Sequence, residues 1–154
     1  MESAGALGVR MLTIHLSGGA EMIRAATAAQ GQISILGVTV LTSANQETLQ
    51  QTGISDKIDN QVVRLAKLGV ENGVDGIVAS AHEIKSLRAE FEEKIQIVVP
   101  GIRPSWAEAG DQKRTMTPRE AIDAGADYLV IGRPIIADKD PREAVAKILD
   151  EIEV

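Results

Sequence analysis

The sequence predicts an α/β protein built on a parallel sheet, and two observations support this. Short apolar runs alternate with amphipathic helical stretches along the 154 residues. Most of these runs are near-continuous Val, Ile and Leu, which is typical of strands buried on both faces in a parallel sheet. The predicted strands are 11–16, 33–41, 74–79, 95–99 and 127–131. Their centres lie about 29 residues apart, as expected for successive βα units.

The predicted helices lie between these runs and after the last of them. They are placed at 20–30, 59–71, 82–92, 118–124 and 141–152, with a shorter helix near 46–51. Thr117 precedes Pro118 and is followed three residues later by Glu120, a capping-box pattern with proline at the first helical position. The segment 140–143 repeats this pattern. These signals indicate well-defined helix starts.

A weak internal repeat links helix ends to strands. Three segments share a helix end, a glycine, a small residue, a polar residue and then a strand. We expect Gly8, Gly73 and Gly125 to end helices in the left-handed conformation that glycine adopts readily. Such repeats indicate right-handed βα crossovers. Five strands fit a complete open doubly wound sheet, whereas a (β/α)8 barrel needs about 250 residues.

Composition excludes several classes of protein. Hydrophobic residues make up 44% and charged residues 25%, so one globular domain over 1–154 is expected. No apolar run is long enough to span a bilayer, and the N-terminus does not resemble a secretory signal. The chain has no cysteine, and its net charge of -6 argues against nucleic-acid and anionic-membrane partners. The absence of cysteine and the presence of only two histidines also argue against thiolate and His-rich metal sites, and we expect a cytoplasmic protein.

Candidate binding residues follow the strands, because ligands of parallel α/β folds bind at the carboxyl ends of strands. Gly132 and Arg133 after the last strand form either a phosphate cradle or an ordinary turn with a solvated arginine. Arg103, in a turn between two prolines, is either a ligand clamp or an ordinary turn residue. Thr42 and its neighbour Ser43 either contact a ligand or cap the following helix.

Other polar residues carry weaker signals. His15 ends an apolar strand and is interpreted as a structural histidine, and His82 receives no catalytic role. The polar cluster 111–114 is interpreted first as a solvated loop. No Asp, Glu or Lys lies at the carboxyl end of a predicted strand. Groups that grip phosphate are therefore present, but no acid, base or nucleophile is placed for chemistry.

Four motifs, taken in order, closely resemble orotidine 5'-monophosphate decarboxylase of the bacterial type. They are VTVLTS at 38–43, VPGIRP at 99–104, GDQKR at 110–114 followed by Thr117-Pro118, and LVIGRPI at 129–135. His15 followed by Ser-Gly-Gly also matches. Each motif is modest alone, but four in sequence are specific, and the resemblance covers essentially the whole chain.

The resemblance implies a (β/α)8 barrel that works as a homodimer and makes UMP from OMP without a cofactor. By resemblance, Thr42 contacts the nucleotide through its hydroxyl. Arg103 and Gln112 are ligands in the region of the phosphate loop, and the Gly132 N–H and Arg133 form the phosphate cradle. The span 106–114 resembles the loop that closes over the phosphate, through which remote binding energy can stabilise the transition state.

One departure concerns catalysis. The family's chemistry lies in an Asp-x-Lys-x-x-Asp segment, helped by an Asp and a Lys on the first two strands, and this chain contains no such segment. By resemblance, residues 1–8 correspond to the end of the helix that follows that strand. We therefore expect a partial barrel of about five βα units without the N-terminal three, with no catalytic residue and negligible activity alone.

Two alternatives remain beside a truncated decarboxylase. One is a non-catalytic phosphate- or nucleotide-binding module that associates with itself or with another chain, because five parallel strands leave two open edges. The other is a related phosphosugar enzyme of the same barrel superfamily. The combination of Asp111-Gln112-x-Arg114 with Gly132-Arg133-Pro134 favours the decarboxylase family over this last possibility.

Overall fold

The computed structural model describes residues 2–107 and 115–153, in which strands and helices alternate as predicted. The strands are β1 (Met11–His15), β2 (Ser34–Val38), β3 (Gly76–Val78), β4 (Gln96–Pro100) and β5 (Tyr128–Val130). The helices are α1 (Glu2–Ala6), α2 (Gly19–Ala28), α3 (Gln46–Gln51), α4 (Ile58–Glu71), α5 (Ile84–Phe91), α6 (Pro118–Asp123), α7 (Arg133–Ile136) and α8 (Pro141–Glu153). All five predicted strands are confirmed; four are shorter than predicted, and β4 has the predicted length but starts one residue later.

The sheet order decides between the two architectures that five strands allow. All neighbouring strands are parallel, and their order is β1-β2-β3-β4-β5. Each crossover therefore moves the chain in the same direction, whereas the flavodoxin-like order 2-1-3-4-5 reverses direction once. A sequential parallel order is that of a barrel wall. The partial barrel is confirmed, and a complete doubly wound sheet is excluded for the described residues.

The core lies between the sheet and the helices on one of its faces. Ile35, Ile77 and Ile97 are fully buried on that face, where α4 packs against both α2 and α5. Leu16 is also fully buried, and a Cβ at Gly37 or Gly69 would lie 2.7–2.8 Å from its side chain. These two glycines therefore let Leu16 sit between strand and helix.

Helix starts and stops largely follow their sequence signals. The Thr117 hydroxyl accepts from the Glu120 amide at 3.3 Å, and the Glu120 carboxylate accepts from the Thr117 amide at 2.9 Å. At α8 only half of the expected pattern forms. Asp140 accepts from the Glu143 amide at 3.1 Å, but the Glu143 carboxylate pairs with Lys147 at 2.8 Å instead of reaching back.

Local bonds explain where boundaries differ from prediction. Strand β2 ends at Val38 instead of 41, because the Thr39 hydroxyl donates to the Val78 carbonyl and a turn follows at 41–44. The helix predicted over 82–92 divides into a 3-10 turn at Ala81–Glu83 and α5. The four-residue α7 was not predicted. Gly8, Gly73 and Gly125 have φ of +68°, +90° and +107°, which confirms their left-handed assignment.

No helix within the described ranges is both long and apolar enough to cross a bilayer.

Candidate functional site

The turns at the carboxyl end of the sheet bring several of the predicted site residues to one edge. Thr42 follows β2, Arg103 follows β4, and Gly132 with Arg133 follows β5. Because β4 and β5 are neighbours, Arg103 and Gly132-Arg133 belong to adjacent turns, whereas β3 separates the turn of Thr42 from that of Arg103. Gln112 lies outside the described residues, as does the span 108–114 of the predicted closing loop.

Gly132 connects β5 to α7, of which it is the N-cap residue. Its φ is -103°, and a Cβ built there meets nothing within 4 Å. Neither a left-handed backbone nor close packing therefore requires glycine at this position. A residue without a side chain lets a ligand approach the backbone closely. Arg133, the first residue of α7, is exposed beside it.

Arg103 is held more firmly than a solvated arginine would be. It is only 9% exposed, and its guanidinium donates to the Ile102 carbonyl at 2.8 Å. Its backbone amide donates to the Met116 carbonyl at 3.0 Å, which ties the turn to the segment before α6. The flanking Pro104 is buried. The turn is therefore rigid and carries a positive charge to the carboxyl edge of a chain whose net charge is -6.

Thr42 and Ser43 do not cap the helix that follows them. They are the central residues of the 41–44 turn, which is closed by the Ala44 amide donating to the Leu41 carbonyl at 2.9 Å. The N-cap of α3 is Asn45, whose side chain accepts from the Thr48 amide at 2.9 Å. The capping alternative is therefore wrong, and contact with a ligand stays the prediction for Thr42.

A buried carboxylate near this edge was missed by the sequence analysis. Glu83 lies five residues beyond the end of β3, is 1% exposed, and accepts from the Ser80 amide at 2.6 Å. Ser80 is the N-cap and Glu83 the third residue of a capping box that starts a 3-10 turn. The signal was the Ser-x-x-Glu pattern at 80–83, the same one that was recognised at Thr117.

The remaining polar residues stay peripheral. His15 is exposed at the end of β1, and its imidazole makes no hydrogen bond within the described part of the chain, unlike a satisfied structural histidine. His82 is exposed near the start of α5, as predicted.

The Lys147 ammonium lies 6.0 Å from the centre of the Trp106 ring, and the hydrogen bond of this ammonium to Glu143 raises its pKa. No described group of three or more acidic or His side chains could hold a metal ion.

Comparison with known proteins adds the family to this geometry. The family model described as orotidine 5'-phosphate decarboxylase / HUMPS family matches residues 1–148. The chain belongs to this family. The orotidine 5'-phosphate decarboxylase of Trichlorobacter lovleyi is 50% identical over 99% of this chain, and that of Geobacter sp. strain M21 is 48% identical over 97%. The resemblance inferred from the four motifs is confirmed.

Solved structures of decarboxylases match the fold as well. The crystal structure of orotidine 5'-phosphate decarboxylase from Lactobacillus acidophilus superposes with a TM-score of 0.83 at 30% identity over 96% of this chain. The corresponding enzyme from Pyrococcus horikoshii gives 0.68 at 26% identity. The chain spans about two thirds of its relatives' length, 66% of the Trichlorobacter protein and 65% of the Lactobacillus structure.

Proposed function

We propose that this chain forms the phosphate-binding part of an orotidine 5'-phosphate decarboxylase, which converts OMP to UMP and CO2 in pyrimidine synthesis. Membership of the decarboxylase family supports this most directly. The arrangement at the carboxyl edge fits it: a glycine that packing does not require, an exposed arginine beside it, and a rigid arginine-bearing turn on the adjacent strand.

In this proposal each residue has a separate task. The Gly132 N–H donates to a phosphate oxygen, and the planar Arg133 guanidinium binds two oxygens of the same phosphate. Arg103 adds positive charge from the turn after β4, and Gln112 contacts the phosphate from the closing loop. The Thr42 hydroxyl hydrogen-bonds the nucleotide. Energy from these remote contacts then serves catalysis at the pyrimidine ring.

Catalysis itself needs groups that these 154 residues do not contain. The sequence has no Asp-x-Lys-x-x-Asp segment to supply the carboxylates and the proton donor. We therefore propose that residues 1–154 are the C-terminal part of a larger (β/α)8 decarboxylase domain. The sequential order of the strands and the two-thirds coverage of relatives support this. The purified chain alone should form UMP from OMP at a negligible rate.

Titration calorimetry with UMP tests the phosphate cradle. Loss of a charge-assisted, bidentate contact is worth about 1.5–3 kcal/mol, so Arg133→Ala should weaken binding about 10- to 100-fold. Arg24→Ala is the control, because Arg24 is an exposed arginine on α2 whose guanidinium bonds Asn72. Equal UMP affinity of the wild type and Arg133→Ala would contradict the cradle. Turnover of OMP near that of a full-length relative would contradict the catalytic part.

A second candidate is a non-catalytic phosphate- or nucleotide-binding module. The hydrophobic side chains exposed at the sheet edges favour it, because such surfaces mark association. UMP binding without activity, even after the rest of a barrel is supplied, would favour this candidate. By family resemblance we also propose a homodimer in the cytoplasm. Sedimentation equilibrium checks the dimer, and fractionation of source cells checks the location.

A further inference from the structure

The β4 turn, residues 101–107, carries Arg103 at the carboxyl edge of the sheet. The Arg103 guanidinium donates to the Ile102 carbonyl of the same turn at 2.8 Å. The charged group is therefore tied to the backbone that carries it, and a shift of the β4 turn moves the guanidinium with it. The contacts that hold the turn also set the place of the charge.

Hydrogen bonds join the β4 turn to two more distant parts of the described chain. The Arg103 amide donates to the Met116 carbonyl at 3.0 Å, which joins the turn to the segment before α6. The Ser105 amide lies 3.2 Å from each carboxylate oxygen of Glu151 on α8, and the Ser105 hydroxyl lies 3.4 Å from one of them. The second attachment spans 46 residues and meets the turn two residues beyond Arg103.

The Ser105 amide takes an acceptor from another element because its own turn does not use it. The closing bond of this turn runs from the Ala107 amide to the Pro104 carbonyl at 2.9 Å, with Ser105 and Trp106 as the central residues. That bond leaves the Ser105 N–H without a local acceptor, and a backbone N–H needs one. The Glu151 carboxylate supplies it.

Glu151 belongs to a row of charged side chains along one face of α8. Glu143, Lys147 and Glu151 are four residues apart, so they are neighbours on the helix surface. The Glu143 carboxylate pairs with the Lys147 ammonium at 2.8 Å, and that ammonium lies 6.0 Å from the centre of the Trp106 ring. Successive turns of α8 therefore contact two successive residues of the β4 turn.

Helix α8 connects this contact to the other half of the candidate site. It packs against α7, whose first residue is Arg133, and it follows β5, which leads into Gly132. Ala144 and Ile148 of α8 are buried, so the helix is fixed by packing. Glu151 thus ties the turn that carries Arg103 to the βα unit that carries Gly132 and Arg133.

We propose that Glu151 is a positioning residue for the phosphate site. Its carboxylate holds the Ser105 amide, and through it the β4 turn, where Arg103 and the cradle of Gly132 and Arg133 reach the same phosphate. Glu151 acts through the turn and does not touch the ligand. The proposal rests on the proposed function, because it takes Arg103 as a phosphate ligand. Hydrogen bonds that lock the residues around a site in this way are what keep its geometry productive.

Titration calorimetry with UMP on the full 154-residue chain tests this role. Glu151→Leu should weaken UMP binding about 3- to 10-fold, because the hydrogen-bonded anchor of the turn is lost. Glu151→Gln should restore most of the affinity, since an amide oxygen can still accept from the Ser105 amide. Asp150→Leu is the control, because Asp150 is an exposed acid on the same turn of α8, and it should bind UMP as the wild type does.

A double-mutant cycle separates positioning from general damage to the fold. In the Arg103→Ala background, Glu151→Leu should have no further effect on UMP affinity, because the residue through which it acts is gone. General destabilisation would instead reduce binding by the same factor in both backgrounds.

Amide hydrogen exchange gives a readout that needs no ligand. Glu151→Leu should speed the exchange of the Arg103 and Ser105 amides about tenfold, whereas the amides of β4 should keep their rates. Glu151→Gln should return both amides close to the rates of the wild type. Faster exchange throughout the chain would indicate a general loss of stability and would contradict the positioning role.

The outcomes distinguish this role from the phosphate cradle. If Arg133→Ala weakens UMP binding but Glu151→Leu does not, the cradle stands and the positioning role of Glu151 is wrong. Additive effects of Glu151→Leu and Arg103→Ala, or unchanged exchange at Ser105, would overturn it as well. If the wild type binds no UMP, the cradle is contradicted, and faster exchange confined to the β4 turn in Glu151→Leu would still support Glu151 as the residue that positions this turn.

Discussion

The two ends of the sheet are built differently. At the amino end, side chains tie strands and loops together: the Asp75 carboxylate accepts from the Ile35 amide at 2.7 Å, and the Asp127 carboxylate accepts from the Ile97 amide at 2.6 Å. The Arg88 guanidinium donates to Asp127 and to the carbonyls of three loop residues at 2.6–2.9 Å. The two aspartates thus hold the start of β3 to β2 and the start of β5 to β4.

At the carboxyl end the turns offer their groups to solvent. Gly132 and Arg133 are exposed. Thr42 lies in a turn and does not cap α3, because Asn45 is the N-cap residue of that helix. Glu83 and Arg103 are buried there, and they hold turns in place. In barrel enzymes the amino end serves stability and the carboxyl end carries the site. The contrast predicts that equal substitutions at the two ends affect different properties.

The largest loss of stability is expected when Arg88 is replaced. Its side chain is 12% exposed and makes five hydrogen bonds, so Arg88→Ala leaves several partly buried acceptors unpaired. We expect a loss of about 3 kcal/mol in the free energy of unfolding, measured by urea denaturation at pH 7. Arg88→Lys should lose more than half of that, because an ammonium cannot reproduce the guanidinium fork. UMP affinity of the folded fraction should be unchanged.

Arg119→Ala is the control for Arg88. Arg119 pairs with Asp123 at 2.9 Å, with side chains 42% and 58% exposed, and also donates one hydrogen bond to the Ile152 carbonyl at 2.9 Å. An exposed pair with one further hydrogen bond contributes about 1 kcal/mol. If Arg88→Ala and Arg119→Ala destabilise the chain equally, the amino end is no more firmly held than the surface, and the contrast between the two ends is wrong.

A pair of glycines sharpens the comparison. Gly125 has φ of +107°, and a Cβ there would lie 3.2 Å from the Arg88 side chain, so Gly125→Ala should lose about 2 kcal/mol of stability. Gly132 has a negative φ and open space, so Gly132→Ala should stay within about 0.5 kcal/mol. We expect only Gly132→Ala to weaken UMP binding by the folded chain. Urea denaturation and calorimetry on both variants check this, and the reverse pattern would contradict it.

Two aspartates give a smaller difference within the amino end. Asp75 and Asp127 each accept a backbone amide of the preceding strand, but only Asp127 also pairs with Arg88. Asp127→Asn should therefore lose about 1–2 kcal/mol of stability, and Asp75→Asn about 1 kcal/mol. Combining Asp127→Asn with Arg88→Ala should give less than the sum of the single effects. Strict additivity in urea denaturation would show that the ion pair contributes nothing.

Much of this architecture could be predicted because its signals are local. The glycines before β1, β3 and β5 indicated helix ends, and the motif order indicated five units of a larger barrel. The role of Asp75 and Asp127 could not be predicted in the same way. Each stands two residues after its glycine, but its carboxylate reaches a strand 30–40 residues earlier in the chain. A repeat in the sequence shows that a polar residue recurs, but it does not show which backbone amide that residue binds.

At the site, too, features with local sequence signals could be predicted, whereas those that depend on tertiary packing could not. Arg103 and Gly132-Arg133 follow neighbouring strands, which could be inferred once sheet order was known. The burial of Arg103 depends on its own turn and on Met116, so no pattern in its motif revealed it. Glu83 had a visible signal, but its burial also depends on tertiary packing. Capping boxes of the same sequence pattern leave the glutamate exposed at Glu120 and buried at Glu83.

The smallest expected change in stability comes from the charge of Glu120, which is lost at acidic pH. Hydrogen bonds from the Thr117 amide and hydroxyl lower the pKa of the Glu120 carboxyl below its ordinary 4.5. The ionised form is therefore favoured in the folded chain, and its contribution is present above about pH 4.5 and lost as the pH falls through the lowered pKa. The carboxylate is exposed, so Glu120→Gln should lose only about 0.5 kcal/mol at pH 7 and nothing near pH 3.

Urea denaturation of wild type and Glu120→Gln at pH 7, 5 and 3 measures this difference. The variant should keep part of the pH dependence, because a hydrogen bond from Asn60 also lowers the pKa of Asp56. A stability difference that stays constant from pH 7 to pH 3 would mean that the charge of Glu120 contributes nothing. A loss as large as that of Arg88→Ala would mean that one exposed capping residue stabilises the fold as strongly as the five hydrogen bonds of Arg88 at the amino end. The predicted difference between the two ends of the sheet would then be wrong.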